Sequence, residues 1–316
     1  MNKNLMWTYF IQLGSNMWNE PGITRGREKR STPCASETFL FDRGAWNEHT
    51  ELLRAVGVNT LVIDIGEAMR YESHPEIAIP GAWDHDTMKA EIDRLRGMGF
   101  TLIPKLNFSA CHDVWLGEYS RMLSTTPYYN ACRDIIGEVC EVFGAEHFHL
   151  GMDEETAANQ VRLDYCVVRQ YDLWWHDLYF LIDCVEKHGA RPWIWSDYGW
   201  NNEETFFAKM PKDVVQNNWY YGAEFDPEKL SESGRAHLTF FDKLSERGYD
   251  QMPTGSVWSK VENFEGLVRY TAEHIDPDHL LGFMQSAWER TDPAWMHIHK
   301  TAADTIAAAK KWYDER

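Results

Sequence analysis

The stretch Glu146–Thr156 reads EHFHLGMDEET. His147, Phe148, His149 and Leu150 alternate with the period of a β-strand. The run passes through Gly151 into three acids, Asp153, Glu154 and Glu155. Like charges gathered at a strand end repel one another and disfavour full ionisation, so such a grouping points to a use. The stretch therefore reads as a strand that delivers acids to a working edge, and the fold question is what sheet it belongs to.

Short apolar runs of the same kind lie on both sides of it. Met6–Leu13, Asn59–Ile65 and Thr101–Phe108 precede it; Pro192–Trp195, Val214–Tyr221, Gln251–Trp258 and Leu280–Ala287 follow. Helical spacing is read at Ala45–Val56, Asp86–Met98, Tyr128–Phe143, Asp164–His188, Glu203–Lys209, Phe240–Arg247, Val261–His274 and Pro293–Tyr313. Asp84 or Asp86 is placed to cap the second helix, and Gly57, Gly99, Gly144, Gly189 and Gly248 stop five of them. Near-continuous apolar strands alternating with helices mean a parallel sheet. Eight such units in 316 residues predict an α/β fold, a single (β/α)8 TIM barrel over 1–316. Long strand–helix loops are expected at about 14–41 and 66–84. A doubly wound open sheet would show a Gly-rich phosphate loop after strand one, and GSNMWNEPG is not that pattern.

The net charge of −18 argues against nucleic acid and anionic membrane surfaces, which call for a basic footprint. No stretch has the apolar length of a membrane span. Met6–Leu13 holds Thr8, Tyr9 and Gln12 and lacks a cleavage site, so it reads as a first strand rather than a signal peptide. The six cysteines show no CxxC pair and read as reduced thiols in a cytoplasmic protein. Fifteen Trp is a high number, and flat aromatic faces that stack on sugar rings are one reason for it, beside core packing. Clustered Trp would also suit a homodimer contact. The one dense basic run, TRGREKRSTP, lies in the first long loop. It reads as a solvated loop or as a lid contacting an anionic sugar.

In a (β/α)8 barrel the active site lies at the C-terminal strand ends. The residues expected there are Asn16, Trp18 and Glu20, Asp64 and Glu67, Lys105, Asn107 and His112, Asp153, Glu154 and Glu155, Trp195 and Asp197. Asn217, Trp219 and Tyr221, Trp258 and Lys260, and Gln285, Trp288 and Glu289 complete the ring. Acids with Trp, Asn and Gln suit carbohydrate: carboxylates supply acid and base, and Trp faces supply flat apolar walls. Adjacent residues in an extended strand face opposite sides, so Asp153 and Glu154 form a facing pair only if the chain leaves extended geometry there.

FHLGMDEE resembles the His-x-Gly-x-Asp-Glu signature of family-20 glycoside hydrolases, the β-N-acetylhexosaminidases. NTLVIDIGEAMRYESHPEI with GAW after it, GFTLIPKLNFSACH, PWIWSD, VVQNNW and GFMQSAWE are similar to that family's strands two, three, five, six and eight. The resemblance implies a retaining exo-β-N-acetylhexosaminidase-like glycosidase that uses substrate-assisted catalysis. It implies Glu154 as general acid/base and Asp153 as the group that orients the substrate's 2-acetamido nucleophile. His112, Trp195, Asp197, Trp219, Tyr221, Trp258, Trp288 and Glu289 are the expected sugar-binding residues, with no cofactor and no metal. The sequence also departs from the family. Its strand-one arginine has no counterpart in FIQLGSNMW. Its strand-seven Tyr-x-Asp stands as Trp258-Ser259-Lys260, and its strand-eight Trp-x-Glu as Trp288-Glu289. The family's accessory N-terminal domain has no counterpart, so the chain reads as the barrel alone. Two other readings are open: a carbohydrate-binding barrel without catalysis, and a metal-dependent hydrolase using His147, His149, His112 and Asp153.

Overall fold

The computed structural model describes residues 5–16, 35–161, 163 and 165–316. The strands are β1 (Met6–Gln12), β2 (Thr60–Asp64), β3 (Thr101–Lys105), β4 (His147–His149), β5 (Arg191–Trp195), β6 (Val215–Asn217), β7 (Thr254–Ser256) and β8 (Gly282–Ser286). All the pairings are parallel, in the order β6-β5-β4-β3-β2-β1-β8-β7. The two ends meet through single bridges, Gln216 with Gln251 and Trp219 with Thr254. The result is a nearly closed (β/α)8 barrel.

Around it run α1 (Arg43–Ala55), α2 (His85–Gly97), α3 (Thr126–Phe143), α4 (Asp172–Glu186), α5 (Tyr198–Asn201), α6 (Glu203–Lys209), α7 (Glu232–Glu246), α8 (Asn263–His274) and α9 (Met296–Asp314). Asp42 caps α1 through the Ala45 amide at 2.7 Å. Asp84, rather than Asp86, caps α2 through the Thr87 amide at 2.9 Å. Two helices depart from expectation. α4 starts at Asp172, not Asp164, because the residues before it serve the site described below. α7 begins at Glu232, well before Phe240, where Ser231 accepts from the Gly234 amide.

Strand alternation separates two cores. Outward strand residues such as Ile11, Ile63, Leu102, Phe148 and Ile194 join the helices in the larger one. Phe10, Val62, Ile103, Trp193, Val215, Met252 and Met284 fill the barrel interior together with Trp195. Two residues further along those strands, on the same face, come Gln12, Asp64, Lys105, Trp195, Asn217, Thr254 and Ser286. The apolar plug thus changes to a polar layer toward the C-terminal mouth, where the acids of the β4 turn arrive. Trp46, Trp174, Trp175 and Trp193 are fully buried, so packing accounts for part of the Trp content. No helix among the described residues is long and apolar enough to cross a membrane. The described cysteines are all free thiols.

Candidate active site

Beyond His149 the chain stops being extended. Gly151, Met152 and Glu154 all have positive φ, at 74°, 75° and 57°. At Gly151 a Cβ would sit 2.0 Å from Asn107 Oδ1, so only glycine fits. This turn removes the alternation that would send neighbouring acids to opposite faces. Asp153 Oδ2 and Glu154 Oε2 both lie 3.3 Å from His112 Nε2, which arrives from the loop after β3. The structure therefore brings His112, Asp153 and Glu154 together.

The charges in this group are unequal. Burial tends to raise the Asp153 carboxyl, but the His112 charge and contact, Lys105 and the Asn107 amide outweigh it. Asp153 is held below the usual carboxylate range; Asn107 Nδ2 donates to its Oδ1 at 2.8 Å. For His112, burial opposes the imidazolium, but Asp153 and Glu154 raise it to about 10. Asp197, two residues beyond β5, goes the other way. Burial first, and then the charges of Asp153 and Glu154, push its carboxyl well above the usual range. Its Oδ2 accepts the Glu154 amide at 2.8 Å. At neutral pH the site thus holds an imidazolium and an ionised Asp153, beside an Asp197 whose charge is disfavoured, and Glu154 offers the most exposed carboxyl, with 41% of its side chain accessible.

The aromatic residues form a connected wall across β5, β6 and β8. Trp195 is buried against His149, Trp288 and Phe10, with ring centroids 4.7, 5.8 and 6.1 Å away. It lies beneath the mouth rather than along its side. Trp288 Nε1 donates to Tyr221 Oη at 3.0 Å, and Tyr221 stacks on Trp219 at 4.9 Å. Trp258 is 45% exposed in the turn after β7, where its amide donates to Ser256 Oγ at 2.9 Å. Glu289 follows Trp288 and is half-buried. Trp18, Glu20 and the basic run at 24–30 lie outside the described residues.

Around the site, several residues make contacts that the sequence did not show. Glu155, to which no role was assigned, is an anchor. Its carboxylate accepts the Ala110 amide at 3.1 Å, the Arg169 amide at 2.8 Å, and Arg169 Nε and Nη2 at 2.9 and 2.5 Å. Arg169 Nη2 also donates to the Phe108 carbonyl at 2.7 Å, and Nη1 reaches Asp177 at 3.3 Å. Below the mouth Lys105 Nζ pairs with Asp64 at 2.5 Å, both buried. Glu67 accepts the Ser15 and Asn16 amides at 2.7 and 2.9 Å, which fixes the chain leaving β1. Cys111, read from the sequence only as a reduced thiol, donates Sγ to the Glu154 carbonyl at 2.8 Å. His147 and His149 do not join a ligand set. His147 Nδ1 accepts from Trp193 Nε1 at 2.8 Å, and His149 Nδ1 from the Gly151 amide at 3.0 Å.

No protein-family model matches the chain, and no curated protein matches its sequence. Solved structures do match. The barrel is built like those of family-20 glycoside hydrolases. An exo-β-N-acetylglucosaminidase from Vibrio harveyi, solved with N-acetylglucosamine, superposes with a TM-score of 0.64 at 14% identity over 97% of this chain. The chain spans about half of that protein, 54% of its length. A β-N-acetylhexosaminidase from Streptomyces coelicolor A3(2) gives 0.63 at 10% identity, over 96% of this chain and 63% of that one. Dispersin B gives 0.60 at 12% identity, over 85% of this chain and 95% of its own. At such identities the likeness speaks for the fold.

Proposed function

We propose that the protein is a retaining glycoside hydrolase that acts on a terminal 2-acetamido sugar by substrate-assisted catalysis. The observation that carries this reading is the convergence of Asp153 and Glu154 on one imidazole at the mouth of a barrel with this fold. Glu154 gives its proton to the glycosidic oxygen as the bond breaks. Asp153, ionised, accepts from the acetamido N–H and aligns the acetamido oxygen for attack on the anomeric carbon. Glu154, now a carboxylate, then activates the water that opens the cyclised intermediate. Trp219, Tyr221 and Trp288 supply apolar faces for the sugar ring, with Trp195 beneath them; Trp258 and Glu289 stand at the rim. His112 holds the two carboxylates near each other.

The test uses aryl N-acetyl-β-hexosaminides that differ in leaving group. Glu154→Gln should lose about 1,000-fold in kcat/KM on a poor leaving group and far less on a dinitrophenyl one. Full activity in that variant on the poor leaving group would overturn the reading. A second reading has one observation in its favour: His112, Asp153 and Glu154 offer ligand atoms within 4.8 Å of one another, as a metal site needs. Activity lost on chelation and restored by zinc would favour that reading; insensitivity to chelation favours the first.

A further inference from the structure

Glu154 stands in a left-handed backbone conformation, with φ at 57°. A non-glycine residue is strained there and stays only when its surroundings fix it. Its side chain is 41% exposed, so packing does not set its direction; its peptide groups must. Those groups are gripped from both sides. On the carbonyl side, Cys111 Sγ donates at 2.8 Å, Asn159 Nδ2 at 3.0 Å and the Thr156 amide at 2.6 Å. On the amide side there is one acceptor, Asp197 Oδ2 at 2.8 Å.

We propose that Asp197 is a positioning residue: by accepting the Glu154 amide it holds the strained turn that aims the Glu154 carboxyl at the reacting bond. Three features fit this role. Asp197 stands two residues beyond β5, and its backbone runs on directly into α5. Its other oxygen, Oδ1, is buried with no hydrogen-bond partner among the described residues. Burial, and then the Asp153 charge, push the carboxyl well above the usual range, which disfavours a third negative charge beside Asp153 and Glu154. The contact to the Glu154 amide uses one acceptor oxygen, which a carboxamide reproduces.

The proposal rests on Glu154 being the proton donor, and Asp197→Ala compared with Asp197→Asn tests it. Asp197→Ala should lower kcat by about 100-fold, the scale of a misplaced catalytic group, while KM stays within about threefold. The loss should be larger on poor leaving groups than on good ones, as for Glu154→Gln. Asp197→Asn should recover activity to within about fivefold of the parent. Equal damage from Asn and Ala would show that the charge matters, and a rise in KM in both with kcat kept would show sugar binding; each overturns the proposal. Full activity in Asp197→Ala does so too. If Asp197→Ala does not fold, Cys111→Ala loosens the carbonyl side, and it should give the same leaving-group-dependent loss in kcat. A uniform loss or none would count against the grip. If the parent protein cleaves no glycoside, the functional reading fails on its own. The grip is then read from a crystal structure of Asp197→Ala (or Cys111→Ala), where Glu154 should leave its contact with His112. An unmoved Glu154 overturns it.

Discussion

At the residue scale, the proposed chemistry gives two neighbouring carboxyls different roles. Asp153 is ionised because an imidazolium, a lysine and an amide surround it, and these outweigh its burial. Glu154 is the more open of the two, with 41% of its side chain accessible. The leaving-group dependence of Glu154→Gln follows from that division, since a good leaving group needs little protonation. The acids themselves were legible from FHLGMDEE. Their common partner, His112, was legible only through the resemblance, because 35 residues separate it from that octet and it stands in a different loop. The positive φ at Met152 and Glu154 carries no sequence mark, unlike Gly151, where a side chain has no room.

At the element scale, the β4 turn is tied to α4 and to the loop after β3 by a buried ionic group. Arg169 and its partners Glu155 and Asp177 have side chains no more than 3% exposed. Ser124 Oγ and Tyr129 Oη donate to Asp177 at 2.7 and 2.5 Å, which extends the tie to the start of α3. Arg169→Ala leaves two buried carboxylates without their cation and should cost about 3–5 kcal/mol in denaturant unfolding. A loss below about 1 kcal/mol would show the group to be dispensable. This tie was hidden in the sequence. The apolar spacing from Asp164 onward imitates a helix, yet the Arg169 amide is taken by Glu155, so the helix starts only at Asp172. The strands were easier to read, because burial on both faces leaves a nearly unbroken apolar run. α7 was read only in part, since its first turns carry Gly234 and mostly polar residues over a capping Ser231.

At the scale of the whole molecule, the barrel joins its first and last helices through a histidine pair. His49 of α1 and His299 of α9 lie 4.2 Å apart between ring centroids, and His299 Nδ1 meets Tyr9 Oη of β1 at 2.9 Å. Burial, and then the neighbouring His299, hold His49 well below the usual histidine range; burial lowers His299 to about 4. Both are neutral when folded, and the unfolded chain takes up their protons below pH 6.5. Stability from this pair is therefore complete above pH 6.5 and is lost as pH falls toward 4. Between pH 7 and pH 5 the parent should lose about 2 kcal/mol more than His299→Gln, read from denaturant midpoints at each pH. Equal losses would show that His299 does not stay neutral in the fold.

The claim that joins these scales is that Asp153 serves a 2-acetamido group on the substrate. Calorimetric titration with a thiazoline that mimics the cyclised acetamido intermediate tests it most directly. The parent protein should bind it tightly, and Asp153→Asn should bind it about 100-fold more weakly, as expected for loss of a charge-assisted hydrogen bond to a transition-state mimic. No binding by the parent, or equal binding by both, would contradict the account.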